Sequence, residues 1–268
     1  MYGLYQIMYF TLIDIMKALC SPFFIALNTI VFAQYYQIGK SINKSKTYAF
    51  KQTFSTALLG MVAGLVATVI FIYLEVKIIP VDFFYILILA LILSLKDPRF
   101  MCLSYAGSII TLLNLTIGFP KGNVRDIMQV VGVLHLMESI LILINGVAGA
   151  TIATFPAKGK LRSGYNINRF WPIPFLIFIG DSLIRPITLM AIINYSDFTF
   201  GQAKTKVKLT SLTLFIYSII ILTLINKEIS LILVALYTII FHEIIILANK
   251  KIENSSIGKL KEKKIKNG

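Results

Sequence analysis

Apolar runs dominate this chain, and their length carries more information than any single residue in them. A helix needs about 20 apolar residues to cross roughly 30 Å of hydrocarbon. Eight stretches come near that length: 19–38, 54–74, 78–95, 100–119, 127–144, 170–194, 209–225 and 229–248. The stretch 2–16 is apolar and aromatic but contains Asp14 and is followed by Lys17, so it reads as an interfacial helix. Three polar connections, 39–53, 156–169 and 195–208, are the longest, and none has the length of a soluble domain.

Charge decides how the runs are counted. With eight simple spans, Lys and Arg divide 11 against 13 between the two faces. That is at odds with the inside excess of basic residues in membrane proteins. If 170–194 dips in and returns on one side, the division becomes 20 against 4. Pro172, Pro174 and Pro186 interrupt that stretch, as a bent segment requires. The expected fold is therefore an all-α polytopic membrane bundle with about seven spans plus one re-entrant, proline-rich hairpin. Eight spans is the alternative. Residues 1–248 form the transmembrane domain and 249–268 a basic cytoplasmic tail.

Composition agrees. Hydrophobic residues make up 57% and charged residues 14%, with mean hydropathy +0.81, against roughly 25% charged in a soluble domain. A soluble globule and a disordered chain are both excluded. The net charge of +14 belongs to loops and tail. The tail lysines, from Lys250 to Lys266, suit anionic lipid head groups, and no nucleic-acid reader accompanies them. Cys20 and Cys102 sit in apolar surroundings and read as two small buried hydrophobes.

Polar residues inside apolar runs need a partner or a purpose. Asp181 and Arg185 are spaced to pair on one helix face, either as part of an ion path or as a pin for the hairpin. His135 and Glu138 share a face and could form half a metal site. His242 and Glu243 could complete it, with an interhelical hydrogen-bond network as the alternative. His242-Glu243 is not a zinc-protease motif, because Ile246 stands where the second histidine belongs. No nucleophile elbow or phosphate-binding glycine loop occurs. Neither a catalytic centre nor a cofactor is expected, and no metal site is assigned. Gly60 and Gly64 allow close helix approach, within the bundle or in a homo-oligomer.

From 131 to 175 the chain reads VGVLHLMESILILINGVAGATIATFPAKGKLRSGYNINRFWPIPF. His135 with Glu138, Gly149-Ala150, Gly164-Tyr165 and Arg169-Phe170-Trp171-Pro172 carry a resemblance. Asn194-Tyr195-Ser196-Asp197 and His242-Glu243 extend it. The region resembles the membrane part of the MinJ-like, PDZ-containing cell-division topological determinants of clostridia and other Firmicutes, here without the PDZ domain. The lysine- and isoleucine-rich composition fits a low-GC Firmicutes genome. The resemblance implies a non-catalytic cell-membrane scaffold that recruits cytoplasmic division-site proteins. Lys158, Lys160, Arg162 and Arg169 lie on the expected inner loop, with Trp171 at the membrane interface. A small-solute or ion transporter using the Asp181–Arg185 and His135–Glu138 pairs is the alternative.

Overall fold

The computed structural model describes residues 9, 13–14, 16–17, 19–77, 80–157, 160–178 and 186–266. From Pro22 onward, seven α-helices and three strands follow in order among the described residues: α1 (Pro22–Ser41), α2 (Lys46–Tyr73), α3 (Pro80–Ser94), α4 (Leu103–Ile117) and α5 (Val124–Asn145). Then come β1 (Ala150–Ala157), β2 (Lys160–Phe178), β3 (Pro186–Thr199), α6 (Ala203–Asn226) and α7 (Leu231–Lys266). Single 3-10 turns precede α4 and β1.

Two expectations fail here. The first is the number of spans. Among the described residues, four helical segments are long and apolar enough to cross a membrane: Lys46–Tyr73, Val124–Gly149, Ala203–Asn226 and Leu231–Glu253. Helices α3 and α4 have 15 residues each, about 22 Å, which is short of a bilayer core. Lys96-Asp97-Pro98 stops α3, and Gly118, at φ 73°, ends α4. Asn28, Gln34 and Gln37 dilute α1. Most of the 2–16 stretch lies outside the described residues.

The second failure is the all-α class. Within the stretch 170–194, residues 170–178 and 186–194 are strand, not helix. Antiparallel β1-β2-β3 form one sheet, with Phe170 opposite Asn194 and Phe178 opposite Pro186. Proline removes a helix donor, clashes with the preceding turn, and pushes the residue before it to extended backbone. With prolines at 172 and 174, a helix here would lose two donors and clash twice, so extended backbone is favoured.

The prolines also explain how the sheet is held. β1 pairs with residues 160–167 of β2, so from 168 onward one edge of β2 faces α2 instead of a strand. Along that edge, Phe170 N–H donates to Tyr35 Oη (3.0 Å) and Leu176 N–H donates to Thr68 Oγ1 (3.0 Å). Between them, Pro172 and Pro174 have no N–H to satisfy. Their carbonyls press on α2 at Gly60 and Gly64, where a Cβ would fall on the Pro172 and Pro174 oxygens. The spacings match, because four helical residues rise about 6 Å and two strand residues about 6.6 Å. Gly60, Gly64 and Thr68 therefore meet 172, 174 and 176 in step. The Gly60–Gly64 face is filled from within the chain.

The core spans α2, α5, α6 and the sheet, around Phe71, Met137, Trp171, Phe175 and Ile221. At the end of β3, buried Lys206 bridges Asp197 (3.2 Å) and Glu253 (3.3 Å), and Glu253 accepts Phe200 N–H (3.1 Å). This ties the sheet to α6 and α7. Beyond it, the α7 backbone stays helical to Lys266.

Candidate metal centre

Three helices deliver one ligand-type side chain each to a common point. Cys102 is the N-cap residue of α4, reached from the 3-10 turn that Asp97 caps by accepting Arg99 N–H (3.0 Å). A helix N-terminus carries partial positive charge, which favours a thiolate. His135 lies on α5 and His242 on α7. Cys102 Sγ is 3.2 Å from His135 Nε2 and 3.4 Å from His242 Nε2. The two imidazoles stand edge to face, with centroids 5.7 Å apart.

The hydrogen bonds around the rings fix which nitrogens carry protons. His135 Nδ1 lies 2.7 Å from the Val131 carbonyl. A carbonyl only accepts, so Nδ1 carries a proton, and in the neutral ring Nε2 holds the lone pair. On the other ring, Tyr105 O–H donates to Glu243 Oε2 (2.6 Å). The Tyr105 oxygen is then the acceptor for His242 Nδ1–H at 3.2 Å, which leaves the second Nε2 free. Both lone pairs converge on the sulfur. Ser104 Oγ sits 2.9 Å from His135 Nε2 and 2.9 Å from Tyr217 Oη, and Tyr217 donates to the Thr238 carbonyl (2.9 Å). The Ser104 hydroxyl and the Cys102 thiol bring two protons to a point lined by several lone pairs.

Those distances suit a shared ion. Zinc–sulfur and zinc–imidazole bonds of about 2.3 and 2.0 Å set tetrahedral S···N separations near 3.6 Å. The donors present, one thiolate and two imidazoles, are the types that transition metals take. The outer contacts are those a metal-bound histidine uses to hold its tautomer: a carbonyl for His135, and tyrosine backed by carboxylate for His242. Glu243 is itself held by Arg99 Nη1 (2.8 Å), whose Nε lies 3.2 Å from Asp97.

The residues singled out from sequence divide as follows. His135 and His242 come together, and Glu138, one turn along α5, is half-buried within electrostatic reach of both and of Cys102. Glu243 faces Arg99 and Tyr105 instead of the histidines' common point. Asp181, Arg185 and Lys158 lie outside the described residues. Lys160 opens β2, and Arg162 is partly exposed on the same strand. Arg169 is fully buried, donates to Gln52, and lies over the Tyr35 ring at 5.8 Å. Trp171 is fully buried in the core. Cys102 is the residue that sequence reasoning passed over. Its one signal is position, directly after a helix stop and at the head of an apolar segment that also opens with Ser104 and Tyr105.

No protein-family model, curated protein or solved structure matches this chain.

Proposed function

We propose that this chain is a non-catalytic integral membrane scaffold fastened by one transition-metal ion, held by Cys102 Sγ and by Nε2 of His135 and His242. Among the described residues, four helices long and apolar enough to cross a membrane fit a membrane location. The observation that carries the metal reading is the convergence of two lone-pair nitrogens, both with the opposite ring nitrogen committed, on one thiol. An ion there joins α4, α5 and α7 at one point.

The scaffold reading takes its partners from the sequence resemblance: division-site proteins on the cytoplasmic face, with the basic tail on anionic lipid. The buried seam between β2 and α2 supports it, since it gives a rigid frame on which to present loops.

The test is metal content of the purified full chain in lipid nanodiscs, after stripping and reloading with Zn2+. One ion per chain is expected, with loss in Cys102→Ser, His135→Ala and His242→Ala. Unchanged stoichiometry in all three variants rejects the site. Zinc flux into proteoliposomes that depends on Cys102 would replace the scaffold with a transporter.

A further inference from the structure

A cavity of about 460 Å3 opens where α2 and α6 end and α5 begins, a size within the range of small-ligand sites. Tyr73 and Glu75 line it from the end of α2, Arg125, Asp126 and Gln129 from the first turns of α5, and Asn226 from the end of α6. Both signs of charge are present. Lys77 adjoins Asp126, and Lys227 and Glu228 follow α6 with one charge of each sign.

The lining is only half bonded. Buried Asp126 accepts Lys77 N–H (2.9 Å) and Asn123 Nδ2–H (2.8 Å), both on Oδ2. Among the described residues, its Oδ1 accepts no hydrogen bond and no cation forms an ion pair with it. Gln129, one turn deeper, is 4% exposed, and its Oε1 is buried without a partner. Such an orphan is uncommon in a folded chain. The amide turns about a soft terminal torsion, which brings the oxygen to the cavity. Arg125 gives one N–H to the Ile225 carbonyl, at 3.4 Å, and a guanidinium has five. The cavity therefore offers acceptors for a donor-rich cation beside donors for an anion.

Apolar stripes climb to it on two helices. Val62, Val66 and Val69 are exposed along α2, and 85%-exposed Tyr73 ends the stripe at the cavity. Leu212, Ile216 and Ile219 are exposed along α6, and Asn226 ends that one. Steps of four and three residues keep each stripe on one helix face. A tyrosine above such a stripe marks head-group level.

We infer that this cavity holds the head group of a phosphatidylethanolamine lipid, with the primary ammonium on Asp126 Oδ1, Glu75 and Gln129, the phosphate on Arg125, and acyl chains along the stripes. An ammonium has three N–H donors for the three acceptors. A choline head group has none, and a glycerol head group brings no cation for the carboxylates. Arginine suits the phosphate that all of these lipids share. The inference stands apart from the metal ion.

The experiment is native mass spectrometry of the purified full chain with equimolar phosphatidylethanolamine and phosphatidylcholine of matched acyl chains. One bound ethanolamine lipid is expected in the wild type, favoured over choline about tenfold, the worth of one charge-assisted hydrogen bond. Asp126→Asn and Gln129→Leu should bring the two lipids close to equal, while Arg125→Gln should weaken both alike. Unchanged Trp171 fluorescence reports that each variant is folded. If Asp126→Asn does not fold, because it also holds Lys77 N–H, Gln129→Leu decides, since it only replaces an unpartnered buried amide. Equal binding of both lipids by the wild type, or an undiminished preference in Gln129→Leu, overturns the inference. Displacement of the lipid by free phosphoethanolamine at equal concentration overturns the lipid as its source.

Discussion

Tyr105 and Thr68 each hold two hydrogen bonds on which a larger feature depends. Tyr105 gives its proton to Glu243, and its oxygen receives His242 Nδ1–H. Tyr105→Phe removes both bonds while leaving the ring in place against His242. Outer contacts of this kind are worth 10- to 100-fold in metal affinity, so Zn2+ affinity should drop by about that factor in a chelator competition, with secondary structure unchanged. Thr68 Oγ1 accepts Leu176 N–H while donating to the Gly64 carbonyl. Thr68→Val keeps the shape and leaves a buried donor unmet, which costs about 1–3 kcal/mol. Denaturation in mild detergent should show that loss, and Thr68→Ser should recover most of it. The sequence revealed some of these residues more readily than others. His135 and His242 stood out because histidine is rare here, with 2 in the chain. Cys102 did not, since one apolar-flanked cysteine looks like any small core residue until two imidazoles are placed beside it.

At the scale of elements, the seam between β2 and α2 is the most constrained contact. Gly64→Leu drives a side chain into the Pro174 carbonyl, so β2 must move away or the bundle must open. The chain's single tryptophan, Trp171, lies fully buried on the same strand. Its fluorescence should shift to the red and become quenchable by polar agents in Gly64→Leu, while Val62→Leu, on the exposed side of α2, should leave it unchanged. The long helices α2, α5, α6 and α7 were legible as apolar runs. The strands were not, for a physical reason. β2 from Ile173 to Ile177 is buried on all sides, so it lacks the polar–apolar alternation that betrays a strand with one wet face. In sequence its prolines suggest kinks in a helix, whereas in the fold they mark the strand edge that needs no donors.

For the whole molecule, apolar content and sorted charge together indicate a membrane location but not its architecture. Span counting from sequence fails because a 15-residue helix and one of about 20 residues look alike in a run of Ile and Leu, and capping sets the difference. Orientation is testable. Glu253, near the end of the apolar part of α7, touches Phe200 and Lys206 at the start of α6, so 205 and 248 belong to one face. The basic excess there predicts the cytoplasmic one. A reporter active only in the cytoplasm should be active both after Ala248 and near Thr205. Opposite activities would break that pairing and the orientation with it.

The proline-bearing rim of β2 has one more consequence. An extended segment ordinarily offers a ladder of donors and acceptors to any other extended segment that meets it. On this rim, two donors are missing at 172 and 174, two are capped at 170 and 176, and α2 covers the carbonyls at 172 and 174. A stray strand from a neighbouring copy finds nothing to zip onto along this rim, so this side of the sheet offers no template for edge-to-edge pairing.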